Sequence, residues 1–152
     1  MTNNKGFSLL EVIIAMTIVT LVAVTVFVSL SAYRSRHAVS DMATNVISAL
    51  SQARTKTVAG YNDTSYGVNI ASTSITLFSG SSFNSSASDN QVIASSGDLT
   101  IQPYLVGGAT NVYFKRLTGE TTQFGYITIK SLSDMTKVAT VTISASGVAG
   151  QL

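Results

Sequence analysis

Gly6-Phe7-Ser8-Leu9-Leu10-Glu11-Val12, running on through Ile13-Ile14-Ala15-Met16 to Tyr33, is the stretch whose reading decides the fold. From Val12 to Tyr33 there are 22 residues without a charge. As a helix rising about 1.5 Å per residue the run spans roughly 33 Å, enough for a hydrocarbon core of about 30 Å. Its many Val, Ile and Thr residues would also suit a strand. A lone strand, however, leaves its backbone polar groups unpaired in hydrocarbon, so the expectation is a transmembrane helix. Lys5 before the run and Arg34 and Arg36 after it leave the charge asymmetry nearly balanced. A secretory signal is cut beyond its apolar core; here the short polar leader precedes the core and no A-x-A-like site closes it. Two readings stay open on these grounds: a cut after Gly6 that keeps the apolar helix, or an uncleaved anchor with an accidental Gly-Phe pair.

Glu11 is the informative residue. A carboxylate at the centre of a bilayer costs about 2.5–3.5 kcal/mol, and near a helix start the dipole favours it. Either it is simply a first-turn acid, or it pairs with a cation of another subunit. A chain beginning at Phe7 would carry an α-amino group four residues before Glu11, and a staggered parallel neighbour could bring that ammonium onto the carboxylate.

Gly6, Phe7, Ser8, Leu9, Leu10, Glu11 and Val12, followed by the apolar helix, resemble the processing signal of type IV prepilins and type II secretion pseudopilins. The resemblance implies that a prepilin peptidase cuts between Gly6 and Phe7 and methylates the new amine. It also implies that Glu11 recruits and registers the subunit during filament assembly. The partners it implies are that peptidase, other pilins or pseudopilins through parallel helix packing, and an inner-membrane assembly platform. The localisation is then single-pass in the inner or cytoplasmic membrane, with the head outside the cytoplasm and the chain incorporated in a pilus or pseudopilus. Unlike many major pilins, the helix has no Pro, so no Pro kink is expected.

Beyond Tyr33 an apolar stripe continues through Val39, Met42, Ala43, Val46, Ile47, Leu50 and Ala53 at helical spacing. Gly60, with Asn62 and Asp63, supplies a stop. One helix of about 50 residues is therefore expected, its second half laid on a head. From Ser65 the pattern shortens to alternating runs: Tyr66–Ile70, then Ile75 with Leu77 after a turn at Ser72-Thr73, Gln91–Ala94, Leu99–Gln102, Asn111–Leu117, Phe124–Lys130 and Lys137–Ser144. Ser79–Asn90 is Ser-rich and reads as a surface loop pinned by Phe83. Pro103 and Gly107-Gly108 are expected to limit strands, and Thr118-Gly119-Glu120 to turn the chain. The fold class is thus α+β, pilin-like: a long N-terminal helix on a small, mainly antiparallel sheet. The divisions expected are 1–6 leader, 7–33 transmembrane and filament-core helix, 34–60 amphipathic helix and 61–152 β-rich head. Val112, Phe114, Gly119, Gly125, Ile127, Ile129, Val138, Val141, Ile143 and Gly147, with Gln52-Ala53-Arg54, resemble the head of H-type, FimT-like minor pseudopilins.

The composition narrows the job. Charged residues make up 11% of the chain, against about 25% in a typical soluble domain. Cysteine is absent and His37 is the only histidine, so neither a thiolate site nor a histidine metal cluster can be built. No spaced carboxylate pair or acyl-transfer motif appears, so catalysis, cofactors and metals are not expected. The resemblance associates G-type major pseudopilins with a calcium loop near the C-terminus. Asp134 is the one side-chain carboxylate in the last 30 residues, too few for such a cage. That favours a minor subunit supporting filament assembly and protein secretion over a major one. DNA uptake is the remaining alternative. Lys115, Arg116, Lys130 and Lys137 could form a basic patch, but Lys115 and Arg116 should face opposite sides of a regular strand, and Ser144–Leu152 holds no basic residue. DNA is not an expected partner.

Overall fold

The computed structural model describes residues 8–96 and 98–152, with side chains for all of these except 26–36. Helix α1 spans Leu9–Val58 and is followed by eight strands: β1 Tyr66–Ile70, β2 Ser74–Ser79, β3 Gln91–Ala94, β4 Leu99–Leu105, β5 Asn111–Tyr113, β6 Gly125–Ser131, β7 Val138–Ile143 and β8 Ala149–Gln151. The chain divides into two compact units, Met1–Arg34 and Ser35–Leu152.

Among the described residues no helix is long and apolar enough to cross a membrane. The described apolar part of α1, from Leu9 to Thr25, reaches about 26 Å at 1.5 Å per residue, short of a hydrocarbon core of about 30 Å. The transmembrane half of the expected fold, and the single-pass membrane localisation drawn from it, fall with that finding. Phe7 and the side chains of 26–33, on which the expected span also drew, lie outside the described residues.

In the second unit α1 buries one stripe. Val39, Met42, Ala43, Val46, Ala49, Leu50, Ala53 and Thr57 are all buried, while Asp41, Thr44, Asn45, Ser48 and Gln52 face solvent. The three- and four-residue spacing of the stripe places it on one side of the helix. Thr57, fully buried, is satisfied locally: its hydroxyl donates to the Ala53 carbonyl at 2.8 Å and accepts the Tyr66 N–H at 2.8 Å. That bond ties the last turn of α1 to the first residue of β1. Gly60, at φ 64°, then ends the helical path as expected.

The head is built from two four-stranded antiparallel sheets, in the orders β3-β2-β1-β5 and β4-β6-β7-β8, rather than one small sheet. Both contribute to one core. Val68, Ile70, Ile75, Leu77 and Val112 from the first sheet, and Ile101, Ile127, Ile129, Val141 and Ile143 from the second, cluster with the α1 stripe. Each such side chain, fully buried, stabilises the fold by about 1.5–3 kcal/mol before entropy is counted. The sheets are stitched by Ile101 N–H of β4 to Ser72 O in the β1–β2 turn at 2.9 Å, while Ser95 N–H to Thr73 O at 2.8 Å extends the β2–β3 ladder.

Strand limits depart from expectation where the chain has a physical alternative. β4 continues through Pro103 to Leu105 because it is the edge of its sheet, where the missing proline N–H costs no ladder bond. β5 stops at Tyr113, four residues early, since Lys115–Glu120 closes a tight loop by Lys115 N–H to Glu120 O and Gly119 N–H to Lys115 O, both 2.9 Å. β8 was not expected at all; it pairs with β7 beyond a turn at Gly147. The outer face of the first sheet is also covered. Phe78, 1% exposed, meets Phe83 at 5.3 Å and Tyr113 at 5.6 Å between ring centroids, so Phe83 does pin the Ser-rich loop.

Candidate assembly surfaces

The N-terminal unit presents apolar side chains on every side of α1. Leu9 and Leu10 are 79% and 68% exposed, and Ile13, Ile14, Met16, Ile18, Val19, Leu21, Val22 and Val24 are each more than half exposed. Thr17 and Thr20 add no free polarity, because their hydroxyls donate to Ile13 O at 2.8 Å and Met16 O at 2.7 Å. A helix that is apolar all round is normally buried against other elements. Glu11 is the one charge between Leu9 and Thr25. It sits in the first turn, where Ser8 O accepts the N–H groups of Glu11 and Val12 at 3.0 and 3.2 Å, and the positive end of the helix dipole favours its carboxylate. With Val12, Ala15, Met16, Val19 and Thr20 it borders an open hollow of about 650 Å³. Gly6 and Phe7, the expected processing pair, lie outside the described residues.

In the head, Arg54 joins three segments. Its Nε donates to Gly119 O at 3.2 Å in the β5–β6 loop and to Ser146 O at 3.3 Å in the β7–β8 turn. A side chain at Gly147 would strike the Gly119 carbonyl, and Gly147 has φ 79°. Gly147 therefore needs both the missing Cβ and the left-handed backbone. In the sequence Gly119 is read as a turn, and Arg54 and Gly147 enter only by resemblance; the clamp they make exists only in three dimensions.

The basic residues are not brought together. Lys115 faces Glu120 at 3.5 Å, Arg116 faces Asp63 at 2.5 Å and Lys137 faces Asp134 at 3.5 Å. Lys115 and Arg116 sit in the loop after β5 rather than on opposite sides of a strand, as was expected of them. Asp134 is occupied within its own loop. It accepts the Thr136 N–H at 3.0 Å and the Thr136 hydroxyl at 2.5 Å, and with Lys137 these bonds hold its carboxyl below the ordinary value of 3.8. Among the described residues no group of three or more His, Cys, Asp or Glu is placed to hold a metal ion.

Two residues escaped the sequence reading. Phe78 follows Leu77 in β2, on the face that alternation assigns to solvent, yet it is buried. Leu117, expected to end the strand from Asn111, has φ 71° and is 86% exposed. The turn signal at Thr118-Gly119 was the one local hint that its backbone would bend.

Residues 1–27 match the prokaryotic N-terminal methylation motif. No curated protein matches the sequence significantly. Two crystal forms of the type IV minor pilin FimU from Pseudomonas aeruginosa are similar in structure. One has a TM-score of 0.60 at 12% identity, covering 79% of this chain and 92% of that one; the other has 0.55 at 12%, covering 74% and 91%. At that identity the likeness is one of fold and does not reach the H-type subclass expected from the head. The chain thus carries a prepilin-type N-terminal motif ahead of an α+β fold of the type IV pilin kind.

Proposed function

We propose that this protein is a structural, non-enzymatic subunit of a filament of the type IV pilus class, in a pilus or a secretion pseudopilus. The observation that carries the reading is the pairing of the methylation motif over residues 1–27 with a helix start that is apolar on all sides and holds one carboxylate. Such a surface is stable in water only when covered, and parallel copies of the same helix cover it symmetrically. Cleavage between Gly6 and Phe7 followed by methylation would free an amine four residues before Glu11. A staggered neighbour then offers that ammonium to the Glu11 carboxylate as the apolar surfaces close. An unpaired carboxylate inside the bundle would cost several kcal/mol, so the pair selects one register. A prepilin peptidase and other pilins are the corresponding partners.

The test is mass spectrometry of assembled filaments together with Glu11→Gln. N-methyl-Phe7 should be the first residue of incorporated chains, and the Gln variant should fold its head normally yet join filaments at least 10-fold less. Intact Met1 in assembled filaments would overturn the maturation step. A minor placement is the finer reading, supported by the fold shared with two minor-pilin structures; copy number per filament separates it from a major subunit.

A further inference from the structure

The outer side of the second sheet carries an aromatic ledge that the core does not use. Alternation along β4, β6 and β7 sends Ile101, Ile127 and Val141 into the core and leaves Gln102, Tyr104, Tyr126, Lys130, Thr140 and Thr142 on the opposite side. The ladder sets Tyr104 directly opposite Tyr126, and Tyr126 opposite Thr142. The two tyrosine rings stack at 4.9 Å between centroids, with 22° between their planes, and are 48% and 46% exposed. That spacing matches the gap of about 4.7–4.9 Å between neighbouring strands. The rings therefore stand side by side above β4 and β6, each covering one face of the other. The second face of Tyr126 looks across the sheet toward β7, where the short side chains of Thr142 and Thr140 form a floor. Beyond them, a methyl at Gly150 of β8 would meet nothing within 4 Å.

Polar groups around this wall remain available. The Tyr104 hydroxyl donates to Gln102 Oε1 at 3.1 Å, and the Gln102 amide nitrogen has no partner among the described residues. The Thr142 hydroxyl donates to Gly150 O at 3.2 Å, which leaves its oxygen free to accept. Lys130 stands four residues along β6 from Tyr126, about 13 Å away at about 3.3 Å per residue. Among the described residues it is the one cation of the head without a partner. Lys115, Arg116 and Lys137 are ion-paired, Arg54 bonds two carbonyls and Lys56 lies over the rings of Tyr61 and Tyr66. Asp98, just ahead of β4, forms no ion pair with it.

An aromatic face, a hydroxyl floor, a free amide donor and one unpaired ammonium further along match a sugar chain that bears carboxylates. Sugar C–H groups, made slightly positive by their oxygens, are attracted to the negative face of an aromatic ring. Tyrosine offers that contact with little side-chain freedom to lose. A single-stranded nucleic acid would also stack, but its phosphates call for several clustered cations, and this face has one.

We propose that the outer face of the second sheet is a binding site for an acidic oligosaccharide built from uronic acids, with one sugar ring laid on Tyr126 and a carboxylate further along the chain held by Lys130. The face lies opposite the core shared with α1, so the inference stands independently of the filament reading.

The test is calorimetric titration of the full-length chain, held in detergent, with hexagalacturonate and with its methyl ester. The acid should bind about 5-fold more tightly than the ester, and Lys130→Gln should erase that preference. Tyr126→Ala should weaken both about 10-fold, whereas Tyr126→Phe, which keeps the ring, should stay within about 2-fold of the unsubstituted chain. No heat of binding with hexagalacturonate at millimolar concentration, or equal affinity in Tyr126→Ala and Tyr126→Phe, would overturn the site. Equal affinity for acid and ester would overturn the place of Lys130 in it. An oligothymidylate bound more tightly than hexagalacturonate would overturn the sugar assignment in favour of single-stranded nucleic acid.

Discussion

Gly147→Ala is the sharpest test of how the head is held to its helix. The added methyl meets the Gly119 carbonyl oxygen and approaches Arg54 Nε at 3.1 Å, at a backbone φ of 79°. The left-handed backbone costs an L-residue about 1–2 kcal/mol. Displacing Gly119 O also weakens the bonds of Arg54 to Gly119 and Ser146, and a hydrogen bond to a charged group contributes about 1.5–3 kcal/mol. Against this, Ala restricts the unfolded chain and returns about 0.4–1 kcal/mol. The net expectation is a loss of about 2–4 kcal/mol. Gly150→Ala is the control, because nothing lies within 4 Å of a methyl there. Urea unfolding followed by tyrosine fluorescence measures both. A loss below about 1 kcal/mol at Gly147, or equal losses at the two glycines, would refute the clamp as a stabilising junction.

Phe78→Ala should cost about 3–5 kcal/mol, as for other buried aromatics, and should release the Ser79–Asn90 loop that Phe83 holds against it; faster amide exchange across that loop, together with a lower urea midpoint, is the readout. Asp134 has its carboxyl depressed by Thr136 and Lys137, so what it contributes is present at neutral pH. That contribution should fade as pH drops below the ordinary 3.8 toward its folded value. Asp134→Asn should flatten that acid limb of the stability profile, and an unchanged limb would count against the loop's role. Arg54→Ala should destabilise the head and quicken exchange in the β5–β6 loop and the β7–β8 turn together, whereas an effect confined to one of them would contradict a shared anchor.

How far residues alone carry the argument depends on how local the determinant is. The helix was legible because its signals repeat: an apolar stripe at three- and four-residue spacing through Val39, Val46, Leu50 and Ala53, stopped by Gly60. Most strands were legible from alternation, as in Ile127 and Ile129. The N-terminal motif stood out because Gly6, Phe7 and Glu11 keep fixed spacing ahead of an uncharged run. That run was over-read as a span: its charge-free length was visible in the sequence, but among the described residues no helix meets the length and apolarity required.

Tertiary structure decided what depends on distant partners. Pro103 lies in a strand because its strand is an edge, and edge position is a property of the sheet. Lys115 and Arg116 leave β5 for Glu120 and Asp63, partners that no alternation rule names. Two sheets form instead of one, and side chains of both join the Val39–Thr57 stripe in a single core, a pairing that strand alternation does not specify. Arg54 acquires its task from carbonyls 65 and 92 residues away. Periodicity and spacing are written in the chain because they act between neighbours; clamps, edges and exposed strained tips arise only when segments far apart in sequence compete for the same space.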